Sequence, residues 1–202
     1  ATRRPAVRLS PSDVAGVGWS GHGRCWRGAL VGGRSGKAGA AQGVKPTDVA
    51  GPADRVTFCR SKVRACPVGS IVFGTSDFIW RARRGRKLIG GGMRQAGVIA
   101  AAGIVALETM VDRLADDHER ARRLADALAS RWRGSVDPAQ VRTNIVCADL
   151  RMLPAGFVER LGDLGIRSGT LDPRTFRLVT HKDVDDDAIG ATIAAFDRLG
   201  SD

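Results

Sequence analysis

Tyrosine does not occur in this chain, and histidine occurs three times. His22, His118 and His181 stand far apart in sequence, with no partner at the spacing a metal site uses, so no metal centre is expected. Cysteine is sparse as well. Cys25, Cys59, Cys66 and Cys147 include no C-x-x-C pair. Cys59 and Cys147 fall in apolar, strand-like runs, where a thiol behaves as a small hydrophobe, so reduced cysteines and a cytoplasmic chain are expected. No apolar run is long enough to span a membrane. The basic N-terminus lacks the apolar core and cleavage pattern of a signal peptide. No internal repeat shows, and nothing marks a nucleophile elbow.

Acidic residues are also in deficit, 21 against 32 lysines and arginines, for a net charge of +11. Such a balance can serve nucleic acid or an anionic surface. Here the arginines are spread along the chain, and no motif of a nucleic-acid reader is present, so a nucleic-acid partner is not expected. What remains is ordinary for a globular protein: 202 residues, 43% hydrophobic and 26% charged, enough for one domain or two small ones with a core. Residues 1–38 are Gly- and Arg-rich with weak alternation, and read as a segment that packs poorly by itself.

From Ala41 onward the pattern becomes regular. Arg55–Cys59 alternates as a strand. Val68–Phe73 is almost wholly apolar, as a strand buried on both faces would be. Lys62 lies between them, where the first strand stops. A lysine so placed can form a Schiff base if its amine is partly desolvated; most lysines are simply solvated. Ser76-Asp77 can cap a helix running into Arg86-Lys87. Gly90–Gly92 breaks it and Met93 opens the next. A Gly-rich turn entering a helix offers free N–H groups to a phosphate, or is only a joint. From Met93 to about Trp132 one long helix is expected, with Leu107, Val111, Leu114, His118, Ala121, Ala125 and Leu128 on a single packed face. His118 on that stripe reads as structural rather than catalytic. Thr143–Leu150 and Phe176–Thr180 read as strands. Pro154 opens a helix between them, and Asp183 or Asp185 caps a last one carrying Ile189, Ile193 and Phe196. These make a compact α/β unit. Arg177 has the fork that suits a carboxylate, though an arginine on a strand is often a surface charge.

Three stretches together carry a resemblance. Asp54, Val56, Phe58, Cys59, Ser61, Lys62, Pro67, Val68, Gly69 and Ser70 stand in register with D-S-V-S-F-C-L-S-K-G-L-G-A-P-V-G-S. Gly90–Gln95 reads G-G-G-M-R-Q, and Arg177–His181 reads R-L-V-T-H. In this the chain resembles the threonine aldolase family of pyridoxal phosphate (PLP) enzymes, from about Gly43 to Leu199. It departs from the family beside the lysine, where Val63-Arg64 replaces Gly-Leu.

The resemblance implies a partial PLP-dependent fold type I, N-terminally incomplete. Residues 1–38 would be a divergent segment, 39–108 a remnant of the PLP-binding large domain, and 109–202 the small α/β domain with its linking helix. It implies reversible cleavage of a β-hydroxy-α-amino acid to glycine and an aldehyde, in a homo-oligomer. Lys62 would be the Schiff-base lysine. Arg94, from a neighbouring subunit, would reach the phosphate, and Lys87 would lie near the site. Arg177 and Arg34 would hold the substrate carboxylate, with Arg34 also touching the cofactor. The family's H-x-D-G-A-R falls, without gaps, on Ala29–Arg34. That places Val31 where an aspartate holds the pyridine nitrogen, so poor catalysis is expected. The competing expectation is a non-catalytic relative that keeps only the dimer-forming and small-domain parts.

Overall fold

The computed structural model describes residues 29–32, 43, 55–59, 66 and 68–200. The chain divides into two compact units, residues 1–112 and 113–202. In the first, β1 (Ala29–Gly32), β2 (Arg55–Cys59) and β3 (Ser70–Phe73) form a sheet in that order, β1 parallel to β2 and β2 antiparallel to β3. β1 falls within residues 1–38, the stretch read as packing poorly by itself, and the rest of that stretch lies outside the described residues. β3 corrects the expectation of a strand buried on both faces. Among the described residues it is an outer strand of this sheet, paired with β2 on one side, and Val72 and Phe73 are exposed.

Two helices follow, α1 (Ser76–Leu88) and α2 (Gly97–Thr109). Thr75, not Ser76, is the cap of α1; its hydroxyl accepts from the Phe78 N–H at 3.4 Å. Arg55 of β2 lies over the Phe78 ring, 4.6 Å from its centroid, a cation–π contact that ties the helix to the sheet.

The second unit opens with α3 (Leu114–Arg131). The single helix expected from Met93 to Trp132 is therefore two. The break at Met110–Arg113 has no Pro or Gly to mark it. Thr109 donates its hydroxyl back to the Val105 carbonyl at 2.8 Å, a bond that competes with the helix ladder. Asp116 and Asp117 then occupy the first turn of α3, where the helix dipole favours negative charge.

After α3 come β4 (Ile145–Asp149), α4 (Phe157–Asp163), β5 (Gly169–Asp172), β6 (Thr175–Val179) and α5 (Asp186–Leu199). The sheet order is β4-β6-β5, antiparallel throughout. Pro154 does not open α4. Gly156 takes φ +67° just before it, a conformation glycine tolerates and proline cannot. Asp185, one of the two acids considered, caps α5, accepting from the Ala188 N–H at 2.9 Å.

The core of this unit lies between the inner face of the sheet and helices α3, α4 and α5. Leu114, Ala121, Ala125, Leu128, Phe157, Phe176, Ile189 and Phe196 are closed off from water. Trp132 meets Phe157 edge-on at 5.0 Å between centroids, and Phe157 meets Phe176 the same way at 5.2 Å, the geometry aromatic quadrupoles favour. Arg120 and Arg123 both bind Asp186, at 2.9 and 2.6 Å, and Arg131 binds Asp197, so α3 and α5 are tied at both ends.

Candidate active site

Arg177 is held by the strand alternation of β6. Phe176 and Leu178 point into the core, so Arg177 lies on the opposite, outer face and is half-buried. The register sets Arg177 directly between Cys147 on β4 and Gly169 on β5. Residues paired across antiparallel strands share a face, so Cys147, Arg177 and Gly169 form one row across the outside of the sheet.

The end of β6 is pinned by a buried polar knot. Thr180 donates its hydroxyl to the Asp117 carbonyl at 2.6 Å and its N–H to the Asn144 carbonyl at 3.0 Å. The Asn144 amide donates in turn to the Thr180 carbonyl. The Asp117 carboxylate, in a residue 1% exposed, accepts two bonds from Arg113, at 2.6 and 3.3 Å. These bonds fix the exit of β6 against the first turn of α3. His118 is buried on the packed face, in the structural position expected of it. His181 is exposed in the turn beyond, where its Nδ1 accepts from the Asp183 N–H at 3.2 Å. The Asp183 carboxyl is held below its usual range chiefly by hydrogen bonding to Lys182.

In the first unit, Lys87 stands exposed in the last turn of α1, where a cation complements the helix dipole. The chain then turns through Gly90, at φ +79°. The Gly91 N–H donates to the Arg86 carbonyl at 2.8 Å, and a Cβ on Gly91 would lie 2.9 Å from the Arg86 Cγ and 3.2 Å from that carbonyl oxygen. The Lys87 Cγ passes 3.8 Å from where a Gly92 Cβ would be, so its stem lies along the glycine turn. Arg94 is exposed in the same connection, and α2 begins without a side-chain cap. The Gly90 N–H is likewise bonded, to the Lys87 carbonyl, so the donors left for a phosphate here are the two cations and the helix start without a side-chain cap.

Lys62 and Arg34 lie outside the described residues. β2 ends at Cys59, three residues before the lysine, and Val31 pairs with Thr57 in the parallel ladder of β1 and β2. The structure therefore brings Lys87 onto the glycine turn of Arg94 and sets Arg177 in a row of its own in the other unit. Sequence reasoning missed Cys147 and Gly169 as neighbours of Arg177, although alternation through Thr143–Leu150 does put Cys147 opposite the core residues Val146 and Ala148. It also missed Asp117, Asn144 and Thr180. A separate pocket of about 420 Å³ beside α4 is lined by Leu150, Leu153, Phe157, Glu159 and Gly169 among others, and Arg177 does not line it.

Among the described residues no helix is long and apolar enough to cross a membrane. Residues 24–152 match the family model described as beta-eliminating lyase, beginning upstream of Gly43, where the motif resemblance starts. An Arabidopsis thaliana protein named "Probable low-specificity L-threonine aldolase 2" is 38% identical over 176 residues, covering 84% of this chain and 49% of its own length. A solved structure from Exiguobacterium sp. 255-15, named "Putative aromatic amino acid beta-eliminating lyase/threonine aldolase", superposes with a TM-score of 0.67 at 18% identity, over 85% of this chain and 52% of that one. A structure of SPT with a PLP internal aldimine superposes at 0.57 and 18% identity, over 79% and 43%. These structural likenesses are of fold: a mixed α/β architecture matching PLP-dependent fold type I over part of its length. The chain spans about half the length of the curated relatives and structures it matches.

Proposed function

The chain belongs to the beta-eliminating lyase family, and from that premise we propose that it forms part of a threonine-aldolase-like PLP lyase cleaving β-hydroxy-α-amino acids to glycine and an aldehyde. The observation that carries the proposal is Arg177, half-buried on the outer sheet face with its strand end pinned by the Asp117–Asn144–Thr180 knot. A fixed guanidinium binds both oxygens of an α-carboxylate and orients the amino acid. Arg34 assists it. Arg94, from a neighbouring subunit, and Lys87 would hold the phosphate, and Lys62 would bond the cofactor covalently. PLP, when bound, supplies an electron sink for the carbon–carbon cleavage. The 39–108 stretch then serves the cofactor and 109–202 the substrate carboxylate.

We further propose that catalysis in this chain is impaired. Val31 stands where the family carries an aspartate on the pyridine nitrogen, and valine accepts no hydrogen bond. Loss of one such electrostatic contact commonly costs a factor of about a hundred or more in rate. Glycine and aldehyde release from L-threonine with excess PLP should therefore be near background, and Val31→Asp should raise it at least tenfold. Wild-type turnover within tenfold of an ordinary threonine aldolase would sink the impairment. No gain in Val31→Asp would favour the second reading, a relative without catalysis. Either form is proposed to be homo-oligomeric, since Val98, Ile104, Val105 and Leu107 of α2 are exposed and apolar patches of this kind mark association sites.

A further inference from the structure

Gly169 occupies one end of the row Cys147–Arg177–Gly169. Its φ is not in the left-handed range, so the path of the chain does not require glycine there. Gly169 is the first residue of β5; a glycine in a strand offers nothing to pack, and it can mark a place where something else approaches closely. A Cβ built on Gly169 would meet nothing within 4 Å, so packing does not require glycine either. What the missing side chain leaves is clear space on one flank of Arg177, while the Cys147 side chain occupies the other. A carboxylate that binds a guanidinium through both oxygens must come in flat along the edge of the fork, and such an approach needs one open flank.

We infer that Gly169 is a specificity-determining residue, which keeps the β5 side of Arg177 open to the α-carboxylate of an amino acid. The inference rests on the reading of Arg177 as the carboxylate-holding residue. A β-branched side chain at 169 is compatible with the strand and projects into the clear space. It should therefore block the carboxylate without harming the fold.

The test is a titration of the full chain with glycine, followed through the backbone amide signals of β4, β5 and β6, for wild type, Gly169→Val and Arg177→Ala, with a thermal melt of each. Wild type should show saturable shifts at residues 147, 169 and 177. Gly169→Val should weaken binding at least fivefold with its melting temperature unchanged or raised, and Arg177→Ala should weaken it as much. Binding by Gly169→Val within twofold of wild type, while Arg177→Ala loses it, overturns the role of Gly169 alone. Normal binding by Arg177→Ala, or no saturable shift in wild type, overturns the reading of Arg177 and this inference with it. Gly169→Ala, which adds only a Cβ, should fall between wild type and Gly169→Val, and an effect of the alanine equal to that of valine would point to backbone rather than bulk and overturn the inference.

Discussion

In the second unit Phe157, Phe176 and Phe196 are closed off from water beside Trp132, whereas in the first Phe73, Trp80 and Ile89 stand out in it, Ile89 at 85% exposure. The same contrast runs through the helices. α3 buries Leu114, Ala121, Leu124, Ala125 and Leu128 against its own unit. α2 is far more apolar in sequence, yet leaves Val98 75% exposed, with Ile104 and Val105 also uncovered. A helix that is apolar all round is one that belongs under something. α3 has a charged face, with Arg120 and Arg123 bound to Asp186, and needs no further cover. The difference separates a unit that closes its own core from one that leaves apolar surface exposed, and it fits the proposal that the chain is homo-oligomeric.

The strongest way to break this comparison is to empty the core of the second unit. Phe157→Ala removes a ring packed against three others, and should cost about 3–5 kcal/mol. Hydrogen exchange should quicken across α3, β4, β6 and α5 and stay unchanged in β2 and β3. Equal loss of protection in β2 and β3 would show that the two units fold as one, and the contrast between them would lose its meaning.

Asp117→Ala comes next. It removes a buried carboxylate bound to Arg113, a charged pair worth about 1.5–3 kcal/mol when broken. The expected result is a lower unfolding midpoint and faster exchange at Thr180, whose bond to the Asp117 carbonyl depends on the first turn of α3 staying in place. An unchanged exchange rate at Thr180 would mean that the knot does not act as a unit.

In the first unit the corresponding substitution should do little to stability. Ile104→Glu puts a charge on a side chain already in water, so the fold should change by within about 0.5 kcal/mol. Sedimentation should nevertheless shift toward monomer. A stability loss of several kcal/mol without a shift in mass would mean that Ile104 is buried in the chain's own core.

The smallest expected effect is acid weakening of the α3–α5 clasp. The Asp186 carboxyl is held below its usual value, first by its hydrogen bond to Arg120 and then by the nearby charges of Arg120 and Arg123. A carboxyl depressed in the folded state stabilises above its unfolded pKa, near 3.9, and the contribution fades as pH falls through the folded value. Between pH 5 and pH 2 the wild type should therefore lose more stability than Asp186→Asn, by a small margin, since the carboxylate is mostly exposed. Identical pH profiles would show that the clasp contributes nothing.

Much of the second unit could be read in advance because its signals are local. Asp185 before a stretch with Ile189, Ile193 and Phe196 at helical spacing states both the start of α5 and its inner face. The alternation of Phe176 and Leu178 about Arg177 puts the arginine on the outer side of its strand. What could not be read depends on distant partners. β5 is a short stretch, Gly169–Asp172, with little β character, and it is a strand because β6 lies beside it. The exposure of β3 is set by what covers it and not by its own apolar residues. The break before α3 follows from Thr109 and from acids that can serve either a helix surface or a helix start. The polar knot joins residues 36 and 63 apart in sequence, a separation at which no local pattern links them. In the candidate site, Arg177 and the glycine turn of Arg94 stand out through motifs, whereas Gly169 is a glycine among 26 until the sheet register gives it a neighbour.

The most direct measurement of the functional claim is borohydride reduction of the purified chain after incubation with PLP, followed by peptide mapping. A cofactor-binding lyase of this family should carry a reduced pyridoxyl group at one lysine, Lys62. Labelling at a different lysine, or none at saturating PLP, would contradict the account.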